Sequence, residues 1–362
     1  PKKEKIIMRK TLLVAICLIV CIGCKTDKNY YIDQSYSYTN SVPINPKTPL
    51  ESFDGGENYN AVDAQVYDSM CIYYTPLKAV RGFHSIMNLK TGEEIGCFGL
   101  KGNGPLESTN FYPINKMYTE GGMLKADFID ANKNRLFVWN ISKSISDTRS
   151  VYDTIIPLDG LKNLPSPIGF YHRLNEDNFF VRTITRDNEN AKQLTSPSHN
   201  IYSYSDLSLL RSYEIYTDSI IKYDYTGVWL PRRMTEAKYT ANSKRQKVAM
   251  AMAYYPQINI LDIASGDLQC FRIKELPEPS ITKEIIYYSS IDCDDNFIYA
   301  LYFELASDAS TFTKTFIHIF DWDGKLIKNW ELGKVYHDIS VYDNKLYAFN
   351  LHSGEIDLYL VE

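Results

Sequence analysis

The sequence is poor in the residues that most often build metal sites and disulfide networks. It has seven cysteines in 362 residues, and the four that follow Cys24 show no CxxC spacing. Its six histidines form neither an HxH nor an HExxH pattern, and a GxSxG nucleophile elbow is absent. These absences argue against a zinc site and an α/β-hydrolase. We expect buried thiols that pack like small apolar residues at Cys71, Cys97, Cys270 and Cys293. The alternative is a disulfide between Cys270 and Cys293.

An excess of positive charge is also missing. The chain carries 39 basic and 44 acidic side chains, a formal net charge of −5, so the whole molecule has no attraction for phosphate backbones. We therefore exclude nucleic acid as a partner. One local basic stretch begins at Arg232 and Arg233 and continues to Lys247. It is typical of a solvated loop; the alternative is a contact patch for an acidic protein or polyanionic glycan, with Arg232 and Arg233 as candidate binding residues.

Helical periodicity is missing beyond residue 62, and short runs typical of β-strands take its place. Hydrophobic residues make up 44% of the chain and tyrosine accounts for 29 residues, which favours strands. A pattern of strand, Gly-containing turn and strand recurs four times. The copies are 86–98, 258–273, 317–332 and 346–361. The six units into which we divide the chain below have a spacing of roughly 45 to 60 residues, which is near the blade length of β-propellers.

We predict an all-β fold, a six-bladed β-propeller of four-stranded antiparallel blades that fills residues 30–362 as a single domain. The sixth unit is short, so we expect an N-terminal strand within residues 30–44 to complete it and close the ring. Two β-sandwich domains are the alternative, but they would need a linker near the middle of the chain. The predicted blades lie near 60–100, 115–157, 165–216, 225–274, 284–332 and 335–361.

The first 23 residues resemble a secretory leader. A short basic stretch precedes the apolar run 11–23, which is too short to span a bilayer. The run ends in the tripeptide Ile-Gly-Cys at Cys24, which resembles a bacterial lipobox. The resemblance implies that Cys24 carries the lipid and that residues 24–29 are a tether, with ordinary signal cleavage as the alternative. Because the rest of the chain is acidic, membrane attachment would rest on the acyl chains.

Two segments resemble a known family. Segment 99–107, GLKGNGPLE, resembles the G-x-[KR]-G-x-G-P-x-E connection of the TolB-like six-bladed propeller lipoproteins of Bacteroidetes, and segment 129–144 resembles that family's second blade. Together with the leader, the resemblance spans nearly the whole chain. It implies a propeller anchored in the cell envelope, on the periplasmic or surface face of the outer membrane. The family is known by its architecture, so the resemblance implies no substrate.

The glycine-rich loop of segment 99–107 has two interpretations. Successive backbone N–H groups could form a nest for an anion. The alternative is a tight crossing between blades where only glycine fits, which we favour because no helix start follows the loop. The candidate binding residues of this loop are Lys101, Gly102, Asn103, Gly104, Pro105 and Glu107.

An acidic run could bind calcium. Residues 292–296, DCDDN, offer oxygen ligands at alternating positions, as calcium sites do. The run lacks the glycine and glutamate of an EF-hand loop and leads directly into a predicted strand. We therefore favour a solvated turn here, and also at residues 321–324, where Asp-Gly is ordinary hairpin chemistry.

The sequence predicts a binding protein of the cell envelope. We expect a lipid-anchored, monomeric propeller without a cofactor, acting as a non-catalytic binding or scaffold module for a protein or glycan partner. The alternative is a lactonase-like propeller hydrolase with a metal in the central channel, held by carboxylates and an asparagine from different blades. Convergence of such side chains in the channel is the feature that would separate the two hypotheses.

Overall fold

The computed structural model describes most of the chain from Tyr36 onward. The described residues are 36–55, 61–76, 81–130, 132–159, 161, 168–183, 186–187, 194–195, 197–213, 215, 235–276, 285–306 and 315–361. The predicted leader, Cys24 and the pair Arg232 and Arg233 lie outside them. In this described part, none of the helices has the length and apolar character needed to cross a membrane.

The described strands form a six-bladed β-propeller with four-stranded antiparallel blades, as predicted. Three short strands come first along the chain: β1 (Tyr36–Thr39), β2 (Ile44–Lys47) and β3 (Glu51–Asp54). Blade 1 then consists of β4 (Asp63–Tyr67), β5 (Met70–Tyr74), β6 (His84–Asn88) and β7 (Glu94–Phe98). Blade 2 consists of β8 (Met117–Glu120), β9 (Met123–Asp130), β10 (Arg135–Asn140) and β11 (Tyr152–Pro157).

Blade 3 contains an additional small hairpin. Its blade strands are β12 (Ile168–Arg173), β13 (Asn178–Thr183), β16 (His199–Ser203) and β17 (Leu209–Tyr213), and the hairpin pairs β14 (Arg186–Asp187) with β15 (Leu194–Thr195). One short helix, α1 (Ile141–Asp147), joins β10 to β11 in blade 2. The side chain of Asn140 caps it by accepting a hydrogen bond from the Lys143 amide.

Blades 4 and 5 carry a fifth strand each, and blade 6 joins the two ends of the chain. Blade 4 consists of β18 (Ala237–Asn242), β19 (Lys247–Met252), β20 (Gln257–Asp262) and β21 (Leu268–Ile273). Blade 5 consists of β22 (Ile285–Cys293), β23 (Phe297–Ala306), β24 (Thr315–Asp321) and β25 (Leu326–Leu332). Blade 6 consists of β26 (Asp338–Tyr342), β27 (Lys345–Phe349), β28 (Glu355–Leu360) and β3. The six predicted units are therefore confirmed.

The strand that closes the ring is a different one from the strand predicted. β3, not a strand within residues 30–44, pairs antiparallel with β28 and places Phe53 opposite Ile356. Phe53 packs on the apolar cluster shared by blades 6 and 1, which favours this segment for closure. β1 and β2 instead add in parallel to the outer strands β21 and β25. There the Arg272 guanidinium lies 4.0 Å from the centre of the Tyr36 ring.

The core lies between neighbouring blades. Between blades 1 and 2, for example, Phe111 and Phe128 meet edge to face with ring centres 4.6 Å apart, and Trp139 completes the cluster. The predicted disulfide alternative is wrong, because Cys270 and Cys293 are free thiols on different blades. Both are buried, as expected for small apolar residues.

The meander of each blade sends its connections to two ends of the channel. The first strand of each blade lines the channel, and all six run in the same direction along its axis. These inner strands are β4, β8, β12, β18, β22 and β26. The connections between blades therefore enter the channel at the first residues of these strands. The short turns after the inner strands lie at the opposite end.

Candidate functional site

Side-chain oxygen atoms join the inner strands of blades 5, 6 and 1. The amide of Val341 donates to Asp292 Oδ2 at 2.7 Å, and the amide of Ala64 donates to Asp338 Oδ2 at 2.9 Å. The amide of Val66 donates to Ser340 Oγ at 3.0 Å. Alternate residues of a strand share one face, so the pairs at 290 and 292 and at 338 and 340 repeat the same link. These bonds satisfy inner-strand amides that have no partner strand on the channel side.

A cavity of about 310 Å³ occupies the channel at the end where the connections between blades enter. Its wall contains carboxylates from blades 1, 5 and 6 and lysines from blades 2 and 4. They are Asp63, Asp292, Asp338, Lys116 and Lys238. Aromatic rings also contribute, and those of Phe170 and Tyr239 stack with centres 5.0 Å apart. A concave, largely polar wall of this kind fits a small polar ligand.

Two carboxyl groups of this cavity perturb each other. Burial raises the pKa of Asp338 to about 6, although hydrogen bonds from Ser290 and the Ala64 amide oppose the shift. Burial and the nearby Asp338 raise the pKa of Asp63 well above its ordinary value, and the positive charge of Lys238 acts in the opposite direction. The pair favours a proton or another positive charge beside Asp63.

Lys116 crosses the channel from blade 2 to blade 5. Its Nζ donates to the carbonyl of Cys293 at 2.8 Å and lies 3.6 Å from Asp292 Oδ1. A second cavity, of about 300 Å³, lies on the other side of this lysine. The two cavities are adjacent, because both are lined by Asn115, Lys116, Tyr171 and His172.

The second cavity borders a closed polar network. Tyr118 and Tyr171 donate to the two oxygens of Asp127 at 2.7 and 2.8 Å. Arg173 donates to Glu120 at 3.0 Å, and its guanidinium lies 4.9 Å from the centre of the Tyr118 ring. These groups satisfy one another, which is typical of a network that holds blades 2 and 3 together.

In the glycine-rich loop, a carboxylate of the loop itself binds to a backbone amide. The Glu107 carboxylate accepts a hydrogen bond from the Gly104 amide at 2.9 Å, in the position that a bound anion would take in a nest. A Cβ on Gly102 would meet the Glu107 carboxylate, so a side chain there would displace this carboxylate from its place in the loop. Lys133 donates to the carbonyls of Gly104 and Glu107, both at 2.9 Å. This geometry is that of a tight crossing fixed to blade 2.

The remaining candidate residues of that loop are exposed. Lys101 and Asn103 are open to solvent, and the carbonyl of Pro105 accepts a hydrogen bond from Arg135 at 2.7 Å. The loop lies outside the lining of the axial cavity, so the structure does not bring its candidate residues together with Asp63 and Lys238. A role of the loop in binding stays a prediction.

The acidic run 292–296 forms a turn between β22 and β23. Asp294 Oδ1 accepts hydrogen bonds from the amides of Asn296 and Phe297, both at 2.7 Å, and Oδ2 accepts from the Tyr299 hydroxyl at 2.6 Å. Asp292 points instead to the amide of Val341. The carboxylates of the run therefore face different partners, and no group of three metal-ligating side chains occurs within the described residues.

The basic stretch is divided among different environments. Lys238 lines the cavity, whereas Lys244 pairs with Asp295 at 2.5 Å and Lys247 donates to the carbonyl of Trp322 at 2.8 Å. Arg232 and Arg233 lie outside the described residues. The described lysines thus form no single patch.

Sequence reasoning missed Asp63, Asp338 and Lys238 as a group. Each begins or nearly begins an inner strand, but the three lie on three different blades. The one local signal was the repeated spacing of Ser and Asp, at 290 and 292 and again at 338 and 340, which reverses its order in the second copy.

The chain is similar in fold to a solved structure from Bacteroides vulgatus. No family model and no curated protein matches the chain. A member of the DUF4221 family from Bacteroides vulgatus superposes with a TM-score of 0.62, covering 89% of this chain and 98% of that one at 13% identity. Regucalcin, a calcium-binding protein from Agrobacterium tumefaciens, gives a TM-score of 0.48 at 10% identity, covering 88% and 96%. BamB from Moraxella catarrhalis gives 0.37 at 11% identity, covering 83% and 84%.

Proposed function

We propose that this protein is a lipid-anchored propeller of the bacterial cell envelope that binds a ligand in its axial cavity without transforming it. The observation that carries the proposal is a channel cavity whose wall holds separate charges of both signs. The lipobox-like sequence at Cys24 supports the anchor and the location. The ligand is a small polar molecule or the exposed end of a protein or glycan partner, and the propeller binds it as a monomer.

The positions of the carboxylates favour binding over catalysis. Asp338 accepts hydrogen bonds from Ser290, the Ala64 amide and its neighbour Ile339, so its oxygens hold three strands together. Asp292 is used in the same way by Val341. Asn115 also lines the cavity, but the described carboxylates do not converge into a metal-binding group. Of the three carboxylates in the cavity lining, Asp63 is the one that holds no neighbouring strand by a hydrogen bond within the described residues.

A ligand-dependent melting experiment tests this proposal. The probes are a dialysable enzymatic hydrolysate of casein and a set of neutral sugars (glucose, N-acetylglucosamine, maltose and cellobiose). We expect one of these probes to raise the Tm of the wild type by mass action and to be recovered chemically unchanged. Calcium and a chelator are expected to leave the Tm unchanged in both directions.

The matched variants are Val62→Trp and Leu50→Trp. Val62 lines the cavity and is 52% exposed, so a tryptophan there narrows the entrance without entering the core. Leu50 is 61% exposed and precedes the outer strand β3, so it serves as the control. Val62→Trp is expected to abolish the Tm shift and Leu50→Trp to retain it. Equal shifts in the two variants, turnover of a probe, or no shift with any probe would contradict the proposal.

A further inference from the structure

Two opposite charges face the axial cavity without pairing. Asp63 is the first residue of β4 in blade 1, and Lys238 is the second residue of β18 in blade 4. In a ring of six blades, blade 4 lies opposite blade 1. Within the described part of the chain, neither side chain has a hydrogen bond or an ion pair, although Lys238 is near enough to lower the pKa of Asp63.

The other ionisable groups of the cavity are either paired within the propeller or neutral. Lys116 lies 3.6 Å from Asp292, which balances both charges. Asp338 is 8% exposed and receives its three hydrogen bonds from within the propeller. Burial lowers the pKa of His172 to about 3 and that of His337 to about 4, so both imidazoles are neutral at neutral pH. Asp63 and Lys238 are therefore the two ionisable groups that remain for a ligand. A positive charge of the ligand beside Asp63 would hold this carboxyl group in its ionised form, against the burial that raises its pKa.

We propose that the axial cavity binds a small zwitterion, a free amino acid or a short peptide, with its ammonium group at Asp63 and its carboxylate at Lys238. This inference rests on the proposed function and names its ligand class. A zwitterion pairs both free charges, whereas a neutral sugar leaves both without a counter-charge and an anion leaves Asp63 repelled. The cavity, about 310 Å³, is near the lower limit of small-molecule sites, about 300–1,000 Å³.

Aromatic rings in the cavity wall suit an organic zwitterion better than an inorganic ion pair. Phe170 and Tyr239 both line the cavity, and their rings stack with centres 5.0 Å apart. An aliphatic or aromatic side chain of the ligand can bury its area there while the charged ends reach Asp63 and Lys238.

Blocking one charge of the ligand at a time provides the test. The probe is dialysable casein hydrolysate in three forms: native, N-acetylated so that the α-ammonium is lost, and amidated so that the carboxylates are lost. We expect the native hydrolysate to raise the Tm of the wild type and each blocked form to give no shift. Equal shifts with native and blocked forms would overturn the inference.

Variants of the protein provide the reciprocal test. Asp63→Asn and Lys238→Gln are each expected to abolish the shift caused by native hydrolysate. Asp267→Asn and Lys244→Gln change exposed residues outside the cavity and are expected to retain it. Asp63→Asn also removes the repulsion between Asp63 and Asp338, which should stabilise the fold, so a loss of binding in this variant cannot be attributed to unfolding. Retention of the full Tm shift with native hydrolysate in this variant would contradict the inference.

The two proposals fail in distinguishable ways. If a neutral sugar raises the Tm, the hydrolysate does not, and Val62→Trp abolishes the sugar effect, the zwitterion inference is wrong while the binding function stands. If neither the hydrolysate nor the sugars shift the Tm, both proposals are wrong.

Discussion

Asp63 and Asp338 lie near each other in the axial cavity, and the raised pKa values of these two carboxyl groups make the stability of the propeller depend on pH. Both pKa values are raised by burial, and that of Asp338 rises from 3.8 to about 6. A carboxyl group with a raised folded-state pKa binds more protons in the folded than in the unfolded protein between these two values. Stability therefore falls as the pH rises through this window and stays lower above it.

The first prediction concerns Asp63→Asn, which removes one of the two like charges. We expect the Tm to rise by roughly 2–4 °C at about pH 8, the shift that about 1 kcal/mol produces in a larger domain. The difference from the wild type should vanish below about pH 3, where both carboxyl groups are protonated in the folded and in the unfolded protein. Thermal melts across this range measure it, with Asp267→Asn as the exposed control. A Tm below that of the wild type at about pH 8 would contradict the role given to Asp63.

At the scale of the element, inner strands act as acceptors for the next blade. Ser340 on β26 is 3% exposed, and its Oγ accepts a hydrogen bond from the Val66 amide of β4.

Our second prediction is that Ser340→Ala lowers the free energy of unfolding by about 1–3 kcal/mol, because the buried Val66 amide loses its partner. Urea unfolding measures the change. Ser205→Ala, in an exposed turn of blade 3, should stay within about 0.5 kcal/mol of the wild type; a similar loss in both variants would refute the special role of Ser340.

The three N-terminal strands pair with different parts of the propeller. β3 completes blade 6, whereas β1 and β2 cover the outer edges of blades 4 and 5. Within the described residues, the outer strands β7, β11 and β17 of blades 1 to 3 carry no added strand. An uncovered outer edge is therefore tolerated in this propeller, while an uncompleted blade 6 would open the ring.

Our third prediction compares a chain that begins at Thr48 with the substitution Phe53→Asp. The truncated chain should remain monomeric and melt in one transition, because β3 is retained. Phe53→Asp should lower the Tm more strongly, since it places a charge on the apolar cluster that joins β3 to blades 6 and 1. Calorimetry and size-exclusion chromatography measure both effects. Aggregation of the truncated chain with a normally melting Phe53→Asp would show that closure depends on residues 36–47.

At the scale of the whole molecule, the proposed anchor decides where the propeller works. The fourth prediction is that Cys24→Ala moves the protein from the detergent phase to the aqueous phase of a phase-separation assay. The reason is that acyl chains, rather than the acidic surface, would hold it at a membrane. Mass spectrometry of the N-terminal peptide should show the lipid in the wild type alone. Equal membrane retention of both forms, without lipid on the peptide, would reject the anchor.

The sequence by itself determined the strands, their turns and the number of blades. Asp343 and Asn344 adopt positive φ angles of 49° and 56° between β26 and β27, and Gly324 adopts 82° between β24 and β25. Such turns depend on neighbouring residues alone, so a pattern of strand and turn is readable from the chain. The tight loop around Glu107 is local in the same sense.

The tertiary structure decided which segment closes the ring and which charges share the cavity. β1, β2 and β3 are all short segments that could serve as edge strands, and the choice between them depends on packing against distant blades, such as Phe53 on the cluster with Ile356. Asp63 and Lys238 look like ordinary exposed charges at the start of strands. They line the same cavity because six blades surround one axis, and only closure of the ring brings blades 1 and 4 to opposite walls of the channel.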